Sequence, residues 1–155
     1  MSDIKVGKKV PAFAVPATGG GIETLSDHKG RNVVLYFYPK DDTPGCTLEG
    51  QDFRDHMRRF ISLNTDVLGV SRDSVKSHEK FRGEQKFPFP LLSDADEELC
   101  RRFDVIRDKN MYGKKVRGIE RSTFLIDGKG VLRREWRKVK VEGHVEEVLK
   151  AIAEL

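Results

Sequence analysis

The sequence predicts an α/β fold: a central sheet of mixed direction, flanked by helices, with an N-terminal β-hairpin. Three observations predict it. Val33 to Tyr38 is an unbroken apolar and aromatic run, the pattern of a strand covered on both faces. Val67-Leu68-Gly69-Val70 is a second such run, and helical spacing follows each of them. Ser122 to Ile126 and Val131 to Trp136 flank Asp127-Gly128-Lys129-Gly130, a hairpin signal that brings in antiparallel strands.

The other elements follow in chain order. Pro11 and Pro16 frame Phe13-Ala14-Val15, Gly19-Gly20-Gly21 turns the chain, and Ile22 to Leu25 returns as a short strand. Pro39 ends the first buried run because it has no N–H to give a ladder. Beyond the turn-rich residues 40–45, Phe53, Met57, Phe60 and Ile61 trace one apolar face of a helix. Asp73 or Ser74 caps a helix carrying Val75, His78 and Phe81. Residues 87–92 are extended, and Ser93 with Asp96 makes a capping-box pattern for a short helix through Phe103. Val145, Val148, Leu149 and Ile152 form a closing amphipathic helix. Residues 1–155 read as a single domain, a length that buries a core without staples.

Composition narrows the function classes. The 29 basic and 25 acidic residues leave a formal charge of +4, with the two signs interspersed. Pairs such as Arg58-Arg59 and Lys114-Lys115 read as solvated surface, so no nucleic-acid partner is expected; attraction of small anionic thiols is another use for the excess. No apolar run approaches the ~20 residues of a membrane span, and the N-terminus lacks the pattern of a signal peptide. No membrane partner and a cytoplasmic location are the expectation. Two cysteines 54 positions apart exclude a disulfide-dense scaffold. His28, His56, His78 and His144 show no metal-ligand spacing, so no metal is expected; His78 is read as packing on a helix flank and the other three as exposed.

The chemistry points to Cys46. It follows a buried strand, a loop bounded by Pro39 and Pro44, and Gly45, and it opens a helix. Ligands of open α/β sheets bind beyond the carboxyl ends of strands, and a helix N-terminus favours an anion, so a reactive thiolate is one reading. A small buried hydrophobe is the other. Thr43 stands three residues before the sulfur, close enough to bring a hydroxyl to one small pocket, or to serve as a helix N-cap. The two prolines stiffen this loop and limit water.

Pro39, Thr43 and Cys46 match the Pro-xxx-Thr-xx-Cys signature, and with it the sequence resembles the peroxiredoxins, thiol peroxidases on a thioredoxin-like fold. Tyr36 through Thr47 is similar to the Q-type branch, the bacterioferritin comigratory proteins, and likeness extends over nearly the whole chain, including Ile119 to Asp127. The resemblance implies that Cys46 attacks the peroxide and that Thr43 and Arg121 hydrogen-bond sulfur and substrate. It implies that Glu49 orients the arginine, and that a monomer works without a cofactor. Ionisation alone would not suffice: a thiol of pKa ~8.5 is already ~3% thiolate at pH 7, so full ionisation gains only ~30-fold. Donors aimed at the departing oxygen must supply the rest.

The resulting sulfenic acid needs a second thiol. Relatives carry a resolving cysteine where Gln51 stands, or near Phe81-Arg82-Gly83, and this chain has none at either place. The expectation is a one-cysteine cycle with an external thiol reductant, such as thioredoxin, glutaredoxin or glutathione. Cys100, beside Leu99, reads as core, with an unusual resolving role as the alternative. A thiol–disulfide oxidoreductase would need a second cysteine within about three residues of Cys46. A binding module on the basic surface is the remaining rival.

Overall fold

Val33 to Tyr38 are sealed on both faces, and the fold is built around them. The computed structural model describes residues 4–155. β1 (Ala14–Ala17) and β2 (Gly21–Thr24) form the N-terminal hairpin, and β3 (Asn32–Phe37) is the buried run. α1 (Pro44–Asp55), α2 (Met57–Ser62), β4 (Thr65–Ser71), α3 (Val75–Gln85), β5 (Leu91–Ser93) and α4 (Glu98–Arg102) follow. β6 (Ile106–Met111) and β7 (Lys114–Ile119) precede β8 (Ser122–Ile126), β9 (Leu132–Trp136) and α5 (His144–Ala153). The main sheet has the order β2-β1-β5-β4-β3-β8-β9. β3, β4 and β5 are parallel, while β8 pairs antiparallel with β3 and β9.

Strand alternation divides the core into two layers. Val33, Leu35 and Phe37 join Leu99, Cys100, Phe103 and Phe124 on one face. Val34, Tyr36 and Tyr38 join Cys46, Phe53, Phe60, Phe81, Val148 and Leu149 on the other. The two cysteines therefore lie on opposite sides of β3. α1 docks closely because Gly50 has no side chain: a Cβ there would sit 2.3 Å from Phe87 Cζ. Gln51 Nε2 donates to Gln85 Oε1 (2.9 Å) and Arg54 to the Gln85 carbonyl (2.8 Å), tying α1 to the end of α3.

Three expectations need correction, and one element was not predicted. The helix expected to carry Phe53 to Ile61 breaks at His56, whose ring Nδ1 donates to the Asp52 carbonyl (2.7 Å); Phe60 is buried but Ile61 is exposed. Ser93 is not a cap: it ends β5 and donates to the Asp73 carbonyl, while Asp94 accepts from the N–H groups of Leu99 (3.0 Å) and Cys100 (2.7 Å). Residues 106–119 form a separate antiparallel ribbon. Its two strands are joined by Tyr112-Gly113, both at positive φ, as a tight hairpin turn requires. Lastly, His28 and His144 are buried rather than exposed: His28 lies between Glu23 and Asp66, and His144 against Thr123 Oγ1 at 2.8 Å.

Candidate active site

β3 delivers the chain to Pro39, and the loop after it crosses the carboxyl end of the sheet before α1 begins. Thr43 is the N-cap residue by backbone geometry, and Pro44 occupies the first helical position, where a missing N–H costs nothing. The Thr43 side chain caps no N–H of the helix; its hydroxyl donates instead to the Lys40 carbonyl at 2.8 Å. The first-turn N–H groups of Gly45 and Cys46 are left facing outward from the helix end.

Cys46 is 3% exposed, yet it is not enclosed by aliphatic groups alone. Arg121, just before β8, reaches across from the neighbouring strand. Its Nη2 donates to Cys46 Sγ at 3.5 Å, and its Nη1 to Glu49 Oε1 at 2.7 Å. Gly45 makes room, since a Cβ there would lie 3.1 Å from Arg121 Nη2. Glu49 is fully buried, one helical turn beyond Cys46, and its Oε2 has no hydrogen-bond partner among the described residues. Burial raises its carboxyl to about 7, against the opposing pull of Arg121. The guanidinium of Arg121 is raised by Glu49 and Cys46 in spite of its burial. Pro39 is half-buried and Pro44 is exposed.

The loop is anchored from below by residues that the sequence pattern did not single out. Asp41 accepts from the hydroxyls of Tyr38 (2.6 Å) and Ser77 (2.7 Å), and His78 Nδ1 faces its Oδ2 at 2.7 Å. His78, fully buried, donates from Nε2 to the Leu92 carbonyl (2.8 Å). It is thus a bolt between α3 and the loop rather than a flank residue. The donor atoms of Asp41, Asp73 and His78 lie within 4.8 Å of one another, but each already holds a protein partner. Only the presence of Asp41 inside the loop motif could have signalled this network.

Cys100 occupies a different setting. It is fully buried, and burial together with the Asp94 carboxylate pushes its thiol far up.

The sequence matches the AhpC/TSA family over residues 6–135. The chain belongs to this family, the peroxiredoxins. It is 53% identical over 154 residues to Peroxiredoxin Bcp of Xanthomonas campestris, covering 98% of this chain and 96% of that one. Peroxiredoxin Bcp of Bacillus subtilis is 48% identical over 152 residues, with 98% and 97% covered. Among solved structures, a cysteine-to-serine mutant of Xylella fastidiosa PrxQ superposes with a TM-score of 0.93 at 47% identity, covering 99% and 98% of the two chains. A bacterioferritin comigratory protein of Xanthomonas campestris, studied for alkyl peroxide reduction, gives 0.87 at 54% identity over 92% and 90%. This peroxiredoxin is of the Bcp/PrxQ type and has their thioredoxin-like fold. It is a thiol-dependent peroxidase, with a peroxide as substrate and a thiol as reductant.

Proposed function

We propose that Cys46 is the nucleophile, that Thr43 and Arg121 bind and polarise the peroxide, and that Glu49, Pro39 and Pro44 hold those groups in place. The observation that carries this reading is the Arg121 guanidinium, which reaches Glu49 with one nitrogen and the Cys46 sulfur with the other. Such a charge-assisted contact is stronger to a thiolate than to a thiol. The sulfur attacks one oxygen of the peroxide and the O–O bond breaks. Cys46 becomes a sulfenic acid, and the departing oxygen takes a proton to leave as water or an alcohol. Negative charge grows on that oxygen, where Arg121 and the Cys46 N–H are fixed donors. Thr43, its only proton committed to Lys40, serves as an acceptor for the peroxide O–H.

An external thiol closes a one-cysteine cycle. Support comes from the position of Cys100 across β3 from Cys46, packed with Leu99 and Phe103. Exposing those two side chains alone would cost about 1.5–3 kcal/mol each. Residues 1–155 act as one domain, a reading supported by a single main sheet running from β1 to β9. A cytoplasmic monomer is the accompanying reading, and two free thiols without a disulfide fit a reducing compartment.

Peroxide consumption by wild type, Cys46→Ser and Cys100→Ser tests the assignment, with non-reducing mass spectrometry of peroxide-treated protein. Cys46→Ser is expected to lose essentially all turnover and Cys100→Ser to stay within about twofold. An intrachain Cys46–Cys100 disulfide in high yield would overturn the one-cysteine cycle.

A further inference from the structure

A cavity of about 580 Å³ adjoins the site, and Arg121 and Pro39 are part of its lining. Arg121 is therefore a shared wall: it borders the cavity and donates to the Cys46 sulfur at 3.5 Å. The volume suits a small molecule. Six of its eight lining residues are charged, with Val139 and Pro39 the apolar members, so its walls combine charged heads with apolar stems.

Its charges are of two kinds. Arg107 and Glu120 are committed to each other at 2.9 Å. Lys109 on β6, Lys138 beyond β9 and Asp108 also line the cavity; neither lysine makes an ion pair among the described residues, and with Arg107 and Arg121 the four cations outnumber the two carboxylates. The walls are held together: Val139 N–H donates to the Arg121 carbonyl (3.0 Å), and Arg137 donates to the carbonyls of Phe103 (3.0 Å) and Asp104 (2.8 Å). The ribbon that supplies Lys109 carries five basic residues against one aspartate, an excess equal to the +4 of the whole chain.

We propose that this cavity binds a low-molecular-weight thiol bearing carboxylates, with Lys109 and Lys138 as its anion contacts, and that this thiol reduces oxidised Cys46. The proposal rests on Cys46 being the peroxide-oxidised residue with no partner in its own chain. The ligand's thiolate attacks the sulfenic sulfur, an S–S bond forms, and hydroxide departs as water with the ligand's proton. A second thiol attacks the ligand sulfur of the mixed disulfide, releasing reduced Cys46 and the ligand disulfide. Two thiols are oxidised for each sulfenic acid reduced. Because Cys46 is nearly covered, its sulfur must become more exposed for the bond to form.

The test separates the two half-reactions. Full-length protein is oxidised with one equivalent of peroxide, and mixed-disulfide formation is then timed with glutathione, neutral 2-mercaptoethanol or cationic cysteamine at equal thiolate concentration. Wild type is expected to favour glutathione over cysteamine by about tenfold or more, with the preference shrinking as salt is raised. In Lys109→Gln/Lys138→Gln that preference falls to about twofold or less, with the peroxide step unchanged. Lys114→Gln/Lys115→Gln, which removes the same charge outside the cavity, keeps the preference. Equal rates for the three thiols in wild type, a preserved preference in the cavity variant, or an equal loss in both variants would each overturn the proposal. Failure of peroxide to oxidise Cys46 at all would instead overturn the reading beneath it, and it is seen in the first half-reaction before any thiol is added.

Discussion

The hydroxyl of Thr43 has one proton to give, and it gives it to the Lys40 carbonyl. Its lone pairs are what remain for a substrate, so the side chain is an acceptor by construction. Thr43→Ser keeps that arrangement and is expected to retain peroxide turnover within about tenfold. Thr43→Val, of nearly equal shape, is expected to lose about 100-fold, in the range of other single hydrogen-bonding groups at reacting oxygens. Steady-state kcat/KM for hydrogen peroxide separates the two, and equal losses would show that shape rather than acceptance matters. Cys46 and Thr43 could be picked out in the sequence because the loop motif marks them, whereas Arg121 reads as a surface charge by pattern and enters only through the resemblance to the peroxiredoxins. Gly45 could not be read in the same way, since its role is to admit a guanidinium that arrives from 76 positions away.

Between elements, the loop that presents Thr43 is bolted to α3 by the Asp41–His78 pair. His78 bridges two groups on different parts of the chain, the Asp41 carboxylate and the Leu92 carbonyl, so its loss leaves buried oxygens without this partner. His78→Ala is expected to destabilise the fold by about 2–4 kcal/mol through the cavity and the orphaned acceptors. It is also expected to lower kcat/KM for peroxide more than it changes the α-helical circular dichroism at 25 °C. Urea unfolding and initial rates check both, and unaltered rates would mean that the loop holds its shape without α3. Strands with continuous apolar runs, such as β3 and β4, were legible because burial on both faces leaves no polar alternation. The β6–β7 ribbon was not legible: among the described side chains it buries almost nothing along residues 107–110 and 112–118, so no hydrophobic period records it. The break at His56 was likewise hidden, because a side chain rather than a proline or glycine interrupts the ladder there.

Over the whole molecule, two buried titrating groups pull stability in opposite directions with pH. Burial raises the Glu49 carboxyl from 4.5 to about 7, with Arg121 opposing it. A raised acid contributes stability that is complete below 4.5 and is lost as pH climbs through about 7. Burial lowers His144 from 6.5 to about 4. Its contribution is complete above 6.5 and is lost as pH falls through about 4. The two slopes offset one another between these limits. Glu49→Gln removes one of them, so its stability relative to wild type is expected to rise by about 1–3 kcal/mol between pH 5 and pH 8. Unfolding curves parallel to wild type at the two pH values would contradict this. The carboxylate that pairs with Arg121 is thus held at a cost to the fold.

The fold's central act is to carry Arg121 from β8 to a sulfur on α1, and the account stands on that guanidinium stabilising the broken O–O bond beyond any help it gives the thiolate. The direct measurement compares Arg121→Ala with wild type in two reactions of Cys46 at pH 7, reduction of hydrogen peroxide and alkylation by iodoacetamide. Both need the thiolate, and only the first expels an oxyanion. The predicted result is a loss of about 1000-fold or more with peroxide, against no more than about 30-fold with iodoacetamide. A fall by the same factor in both reactions would contradict it.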